Sequence, residues 1–142
     1  SDAYYDGRTV CIFRLSDVIL CKAEIENNLN GPAAALPYLN QIRARAGAPE
    51  YGKHDRFQTP ASKEAMNEAI LKERGYELVF EFQRRADLIR FGKYEEVVNA
   101  HLKKLGIAQP TNVTPSLRYF PYPLNDAQLN SKMAAENASR LP

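Results

Sequence analysis

The fold is decided by Glu73-Arg74-Gly75-Tyr76-Glu77-Leu78-Val79-Phe80-Glu81-Phe82-Gln83-Arg84-Arg85-Ala86-Asp87-Leu88-Ile89-Arg90-Phe91-Gly92. Four acids and four arginines lie between Glu73 and Arg90, interleaved with Leu78, Val79, Phe80, Phe82, Leu88 and Ile89. A solvated charge run carries no such apolar thread. Apolar residues that return every three or four positions mark helix with one face turned inward. Charges beside that face survive burial only when they are paired and hydrogen-bonded. The stretch therefore predicts a helical corner held by a structural ion-pair network of Arg74, Glu77, Glu81, Arg84, Asp87 and Arg90.

Upstream of this corner, Ser62 is a fair N-cap with Glu64 in the first turn. It opens a helix that runs to about Phe82, with Met66, Ala69, Ile70, Glu73, Glu77 and Phe80 on one face. Downstream, residues 84–91 form a further helix that Gly92 breaks, and 93–104 another, with Tyr94, Val97, Val98 and Leu102 on one side. Earlier still, Leu15, Val18, Ile19, Ala23 and the stem of Glu26 follow the spacing of an amphipathic helix. The turn formers from Asn28 to Pro32 end it. A second helix spans about 32–46, with Ala35, Leu36, Leu39, Ile42, Arg43 and Ala46 inward. Pro37 removes one of its backbone bonds and predicts a bend or a late start. Gly47 and Pro49 stop it. Residues 47–61 make a long loop, of a length that compact domains reserve for binding or motion.

Residues 1–13 read as irregular or extended. Past Gly106 the prolines Pro110, Pro115, Pro121 and Pro123, with Tyr119, Phe120 and Tyr122, predict an extended tail, interrupted by one short helix at 125–129. The fold class is all-α. It comprises two tetratricopeptide-like helix pairs, 14–46 and 62–92, with an irregular N-terminal segment and an extended Pro/aromatic tail. The expectation is one domain over 1–142, its second helical unit reaching 104 and its tail covering 105–142.

Composition narrows the function. The chain has 142 residues, 44% hydrophobic and 25% charged, ordinary for a globular domain. A net charge of +2, from 19 basic and 17 acidic residues, gives no footprint for nucleic acid. No apolar run approaches the ~20 residues that cross a bilayer. Cys11 and Cys21 are too few for a disulfide framework and read as two reduced thiols.

Glu73, Glu77 and Glu81 recur every four residues on one helical face, which admits glycosidase or metal chemistry. The neighbouring arginines lower carboxylate pKa values, which spoils a general acid. Neither His54 nor His101 stands at ligand spacing, and no cofactor fingerprint occurs. Two Asn-x-Ser/Thr triplets, at 112–114 and 137–139, are frequent by chance. Among the aromatics outside helix faces (Tyr4, Tyr5, Tyr51, Phe57, Tyr119, Phe120, Tyr122), Tyr51 and Phe57 in the long loop are the candidates for stacking on a ligand. The tail cluster reads as glue against the helices.

Arg14-Leu15-Ser16-Asp17-Val18-Ile19-Leu20-Cys21-Lys22-Ala23-Glu24 resembles a helix of the SusD/RagB-type outer-membrane glycan-uptake proteins. So do Ala35-Leu36 through Asn40-Gln41-Ile42-Arg43-Ala44-Arg45-Ala46-Gly47, the Ile70–Gly92 run, and Tyr122-Pro123-Leu124 with Leu129-Asn130 and Glu136-Asn137. Arg85 and Ala86 stand where that pattern has two aromatics, and Pro37 where it has a helix former. The resemblance implies the C-terminal part of a longer, lipid-anchored protein on the cell-surface face of the outer membrane. It implies a non-enzymatic, cofactor-free role: capture of oligosaccharide and its delivery to a SusC-like TonB-dependent transporter. This piece would serve mainly as scaffold and docking surface. The rival readings are a free-standing tetratricopeptide adaptor that binds peptide and a hydrolase that uses the glutamates.

Overall fold

The computed structural model describes residues 12–107 and 113–140. Expectations for Tyr4, Tyr5, Cys11 and residues 108–112 lie outside that range. The helices are α1 (Leu15–Asn30), α2 (Pro32–Arg45), α3 (Lys63–Glu77), α4 (Arg84–Arg90), α5 (Tyr94–Lys104), α6 (Leu124–Leu129) and α7 (Ser131–Arg140), with a 3-10 turn at Pro115–Arg118. Among the described residues there is no strand, and the fold is all-α. The chain divides into two compact units between Arg84 and Arg85.

In the first unit α1 and α2 form a hairpin whose whole connection is Gly31, at φ +89°. That backbone favours glycine, since a Cβ there is strained. The turn formers before it stay helical, so α1 runs to Asn30 instead of ending near Asn28. Pro37 sits inside α2, exposed, and α2 still spans Pro32–Arg45. Gly47 follows at φ +66°, and the Ala48 N–H closes back on Arg43 O at 2.8 Å. This is the glycine-terminated helix end that the sequence predicts.

α3 lies antiparallel to α1. Asn27, late in α1, donates to Lys63 O at 2.8 Å and to Asn67 Oδ1 at 2.7 Å, whereas Asp17, early in α1, meets Arg74 late in α3 at 2.7 Å. Beside α2 it runs in the same direction, pairing Arg43 with Glu73 and Arg45 with Glu77. The 46–62 loop is therefore the return that makes two consecutive helices parallel. The helix pair expected over 14–46 is the α1–α2 hairpin.

The core of this unit is Leu20, Ala23, Ala35, Leu39, Ile42, Met66, Ala69, Ile70, Leu71 and Leu78. The inward faces of α2 and α3 are largely those the spacing predicts. α1 differs. It buries Ser16, Asp17, Leu20, Ala23 and Asn27, and exposes Leu15 and Val18. The helix is turned by roughly a quarter turn from the apolar face read in the sequence. Asp17 and Asn27 find charged or amide partners on α3, so their burial is compensated. Periodicity of apolar residues is blind to that compensation.

α3 stops at Glu77, not near 82. Leu78 is buried, but Phe80 and Phe82 sit at φ +63° and +61° with rings 93% and 95% exposed. Left-handed backbone at two phenylalanines costs about 1–2 kcal/mol each. The predicted inward Phe80 is thus on the surface.

In the second unit α4 and α5 match their expected spans. The tail is more helical than its prolines suggest, because α6 and α7 together occupy most of 124–140. Asn130 Oδ1 accepts from Lys132 N–H at 3.0 Å and opens α7, whose Met133, Ala134, Ala135 and Glu136 are good helix formers.

Candidate functional site

Each charge on α3 faces a different neighbour, because residues one turn apart on a helix share a face and adjacent ones do not. Glu73 faces α2. Its carboxylate takes Arg43 Nη1 at 2.6 Å, and both side chains are 5% exposed. Arg43 Nε donates to Pro49 O at 2.6 Å. The same guanidinium stacks on Tyr51 and Phe57, 4.8 and 4.3 Å from their ring centroids. The two rings meet edge to face at 5.6 Å. Asn40 of α2 holds Tyr51 from the other side, accepting its N–H at 2.8 Å and donating to its carbonyl at 3.0 Å. Tyr51 and Phe57 are thus brought together, around an internal cation. Burial pushes the Tyr51 phenol upward, and the positive charge of Arg43 works against that shift.

Arg74 turns toward α1, pairing with Asp17 at 2.7 Å and donating to Cys21 Sγ at 3.5 Å. Arg14, just ahead of α1, gathers the remaining acids. Its Nε reaches both Glu81 oxygens at 2.8 and 2.9 Å, its Nη1 donates to Ser16 Oγ and Glu77, and its Nη2 to the Glu77 carbonyl. Glu77 also accepts from Arg45. Burial pushes the Glu77 carboxyl up. Hydrogen bonds from Ser16 and Arg14 and the charges of Arg14 and Arg45 outweigh that push and hold it below the usual carboxylate range.

Arg84 donates to a carbonyl, Leu71 O, at 2.8 Å. Its guanidinium crosses α3 at Gly75, where an added Cβ would come within 2.9 Å of Arg84 Nη1. A side chain at that position would oblige the Arg84 guanidinium to shift. Asp87, 5% exposed, pairs with Arg90 one turn on at 3.1 Å.

Of the six residues read as a network, Glu77 and Glu81 are drawn onto one arginine. Arg74 finds α1, and Arg84 finds backbone. Arg14, Asp17, Arg43 and Arg45 supply counter-charges that the sequence did not single out as partners. All four stand in the segments that carry the family resemblance. Charge spacing alone could not assign them, since pairing across helices depends on packing.

A cleft of about 400 Å³ opens beside this arrangement, with Arg43, Phe57, Glu73, Tyr76 and Glu77 on its walls. Its carboxylates, Glu73 and Glu77, are already engaged by arginines, and Tyr76 on its wall is exposed. Among the described residues no group of three or more His, Cys, Asp or Glu side chains is placed to hold a metal. No described helix is long and apolar enough to cross a membrane.

In the second unit Arg85 is the organiser. It donates to Leu117 O and Arg118 O at 3.1 and 2.8 Å and stacks on Tyr94 and Phe120, 5.4 and 4.5 Å from their centroids. Arg118 pairs with Glu95, which holds that carboxyl below its usual range. Asn99 and Asn137 clamp Val113 and Tyr122 as Asn40 clamps Tyr51, accepting the backbone N–H at 2.7 Å and returning a bond to the carbonyl at 3.0 Å.

Comparison with known proteins agrees with this set of motifs. The chain is 38% identical to "SusD-like protein P25" of Formosa agariphila over 129 residues, covering 90% of this chain and 24% of that protein. It is 35% identical to "SusD-like protein P38" of the same organism over 95 residues, 66% of this chain and 19% of the relative. It is 29% identical to "Starch-binding protein SusD" of Bacteroides thetaiotaomicron over 136 residues, 94% and 22% of the two chains. The chain thus spans about a quarter or less of the length of these relatives. No solved structure gives a significant match. The model of the SusD family matches residues 1–138, and the chain belongs to that family.

Proposed function

We propose that this chain is a scaffold section, from the C-terminal part, of a glycan-capturing lipoprotein on the cell-surface face of the outer membrane. In that role it is non-catalytic. The longer protein binds oligosaccharide and hands it to a TonB-dependent, SusC-like transporter, and the helices described here hold the fold and contribute docking surface. The observation that carries this reading is the fate of the signature charges. Arg14, Asp17, Arg43, Glu73, Arg74, Glu77 and Glu81 are all spent on one another across α1, α2 and α3. Residues spent this way stabilise a frame and leave little polar chemistry for a ligand.

The same pairing speaks against a hydrolase. A general acid must hold its proton near neutral pH, and Glu77 is displaced in the opposite direction. The glycan reading comes from the SusD relatives, one of which carries starch binding in its name.

The test is a binding screen over an oligosaccharide array, α-glucans included, with this chain beside the full-length product of its reading frame. Retention of the longer protein alone supports the reading. Binding by the 142-residue chain itself, or release of reducing ends from any glycan, overturns it.

A further inference from the structure

The turn after α3 is one that its own residues do not favour. Phe80 and Phe82 hold left-handed backbone, at φ +63° and +61°, with their rings almost wholly in water. Left-handed phenylalanine is strained, and such strain persists only where neighbouring contacts enforce it. The enforcing contact is Arg14. A further turn of α3, through Phe80, needs the Glu77 carbonyl as acceptor for the Glu81 N–H. Arg14 Nη2 donates to that carbonyl, and the Glu81 N–H closes on Leu78 O instead, at 3.1 Å. The same guanidinium draws the Glu81 carboxylate to itself, with Nε at 2.8 and 2.9 Å from its oxygens.

We propose that residues 78–81 are a two-state lid that Arg14 latches open. In the closed state α3 continues through Phe80, whose ring covers the cleft beside Glu73. Helix geometry places it there. Seven residues at about 100° each bring Phe80 to within ~20° of the direction of Glu73. Helical side chains lean toward the N-terminus, so the ring lies back over the turn of Tyr76 and Glu77. Glu73, Tyr76 and Glu77 line the cleft, and Ala46, Ala48 and Pro49 give it apolar surface. The chain has room to return. Phe80 of the continued helix stands about 7.5 Å along the axis from Gly75, where Arg84 packs, and the four residues on to Arg84 reach about 13 Å. Closing restores helical backbone at Phe80 and takes its ring out of water, so both effects favour it once Arg14 lets go. The apolar spacing that turns Phe80 inward in the sequence describes this closed state. The lid belongs to the contact between Arg14 and the end of α3, and it does not rest on glycan capture.

The experiment is hydroxyl-radical footprinting of the full-length protein, unsubstituted and as Arg14→Gln, with circular dichroism to show that both fold. In the unsubstituted protein Phe80 and Phe82 are expected to react near the rate of the denatured chain. In Arg14→Gln, Phe80 slows by about fivefold, as a shift to roughly four-fifths closed gives, and Tyr76 slows with it while Phe82 does not. Equal Phe80 rates in the two proteins overturn the proposal. So does protection of Phe80 already present in the unsubstituted protein, or equal slowing of Phe80 and Phe82, which marks general burial of the corner. Glu81→Gln is the milder variant, since it weakens the latch and leaves the Arg14 bonds to Glu77 in place. It is expected to slow Phe80 by about twofold, and an unchanged rate counts against the latch.

Discussion

At the scale of single residues the stability of the first unit turns on Arg43 and Glu73. Both are nearly excluded from water, at 2.6 Å from each other. Removing one partner of such a pair strands the other as a buried charge, at a cost of about 3–5 kcal/mol. Glu73→Ala is expected to lose stability in that range by urea titration, whereas a loss under about 1 kcal/mol would show a solvent-screened pair. Glu77 behaves differently, because its partners Arg14 and Arg45 remain 28% and 59% exposed and can rehydrate. Its signature is in pH. A carboxyl whose folded pKa lies below its unfolded value of about 4.5 stabilises fully above that value. The contribution is lost as pH falls through the folded pKa. Glu77→Gln should therefore flatten the fall in stability below about pH 4.5 and leave the slope near neutrality unchanged. An identical acid limb in wild type and variant would contradict the assignment.

At the scale of elements, three asparagines on helices grip the backbone of non-helical segments: Asn40 holds Tyr51, Asn99 holds Val113 and Asn137 holds Tyr122. Each supplies one acceptor and one donor, the pair that a neighbouring strand would offer. Asn40→Ala leaves both Tyr51 groups without that partner and should cost about 1–3 kcal/mol. Proteolysis in the 47–61 loop should accelerate with it, and a cleavage rate equal to wild type would show that Arg43 alone pins the loop. The Phe80–Phe82 corner predicts the opposite sign. Its rings are almost wholly exposed and its backbone is left-handed, so Phe82→Gly in this chain should leave stability unchanged or raise it by about 1 kcal/mol. A clear loss by thermal unfolding would mean the ring is packed.

Helices α2, α4 and α5 were legible because Gly47, Gly92 and Gly106 follow their ends and their apolar spacing is regular. The inner face of α1 was not, because it buries Asp17 and Asn27, whose partners Arg74, Lys63 and Asn67 are dozens of residues away. α7 was hidden by the prolines before it. Of the candidate site, the presence of paired charges could be read from Glu73 to Arg90, but their partners on α1 and α2 appear only when the helices are packed.

At the scale of the whole molecule, family membership and the spent charges make one claim: the signature of this chain is structural. Buried ion pairs can often be exchanged for well-packed apolar residues without loss of stability. The most direct measurement is glycan affinity of the full-length protein carrying Arg43→Met with Glu73→Leu, after circular dichroism has shown that it folds. The account predicts capture of the same oligosaccharide with unchanged Kd. A folded double variant that no longer binds it would place this pair in ligand recognition and contradict the account.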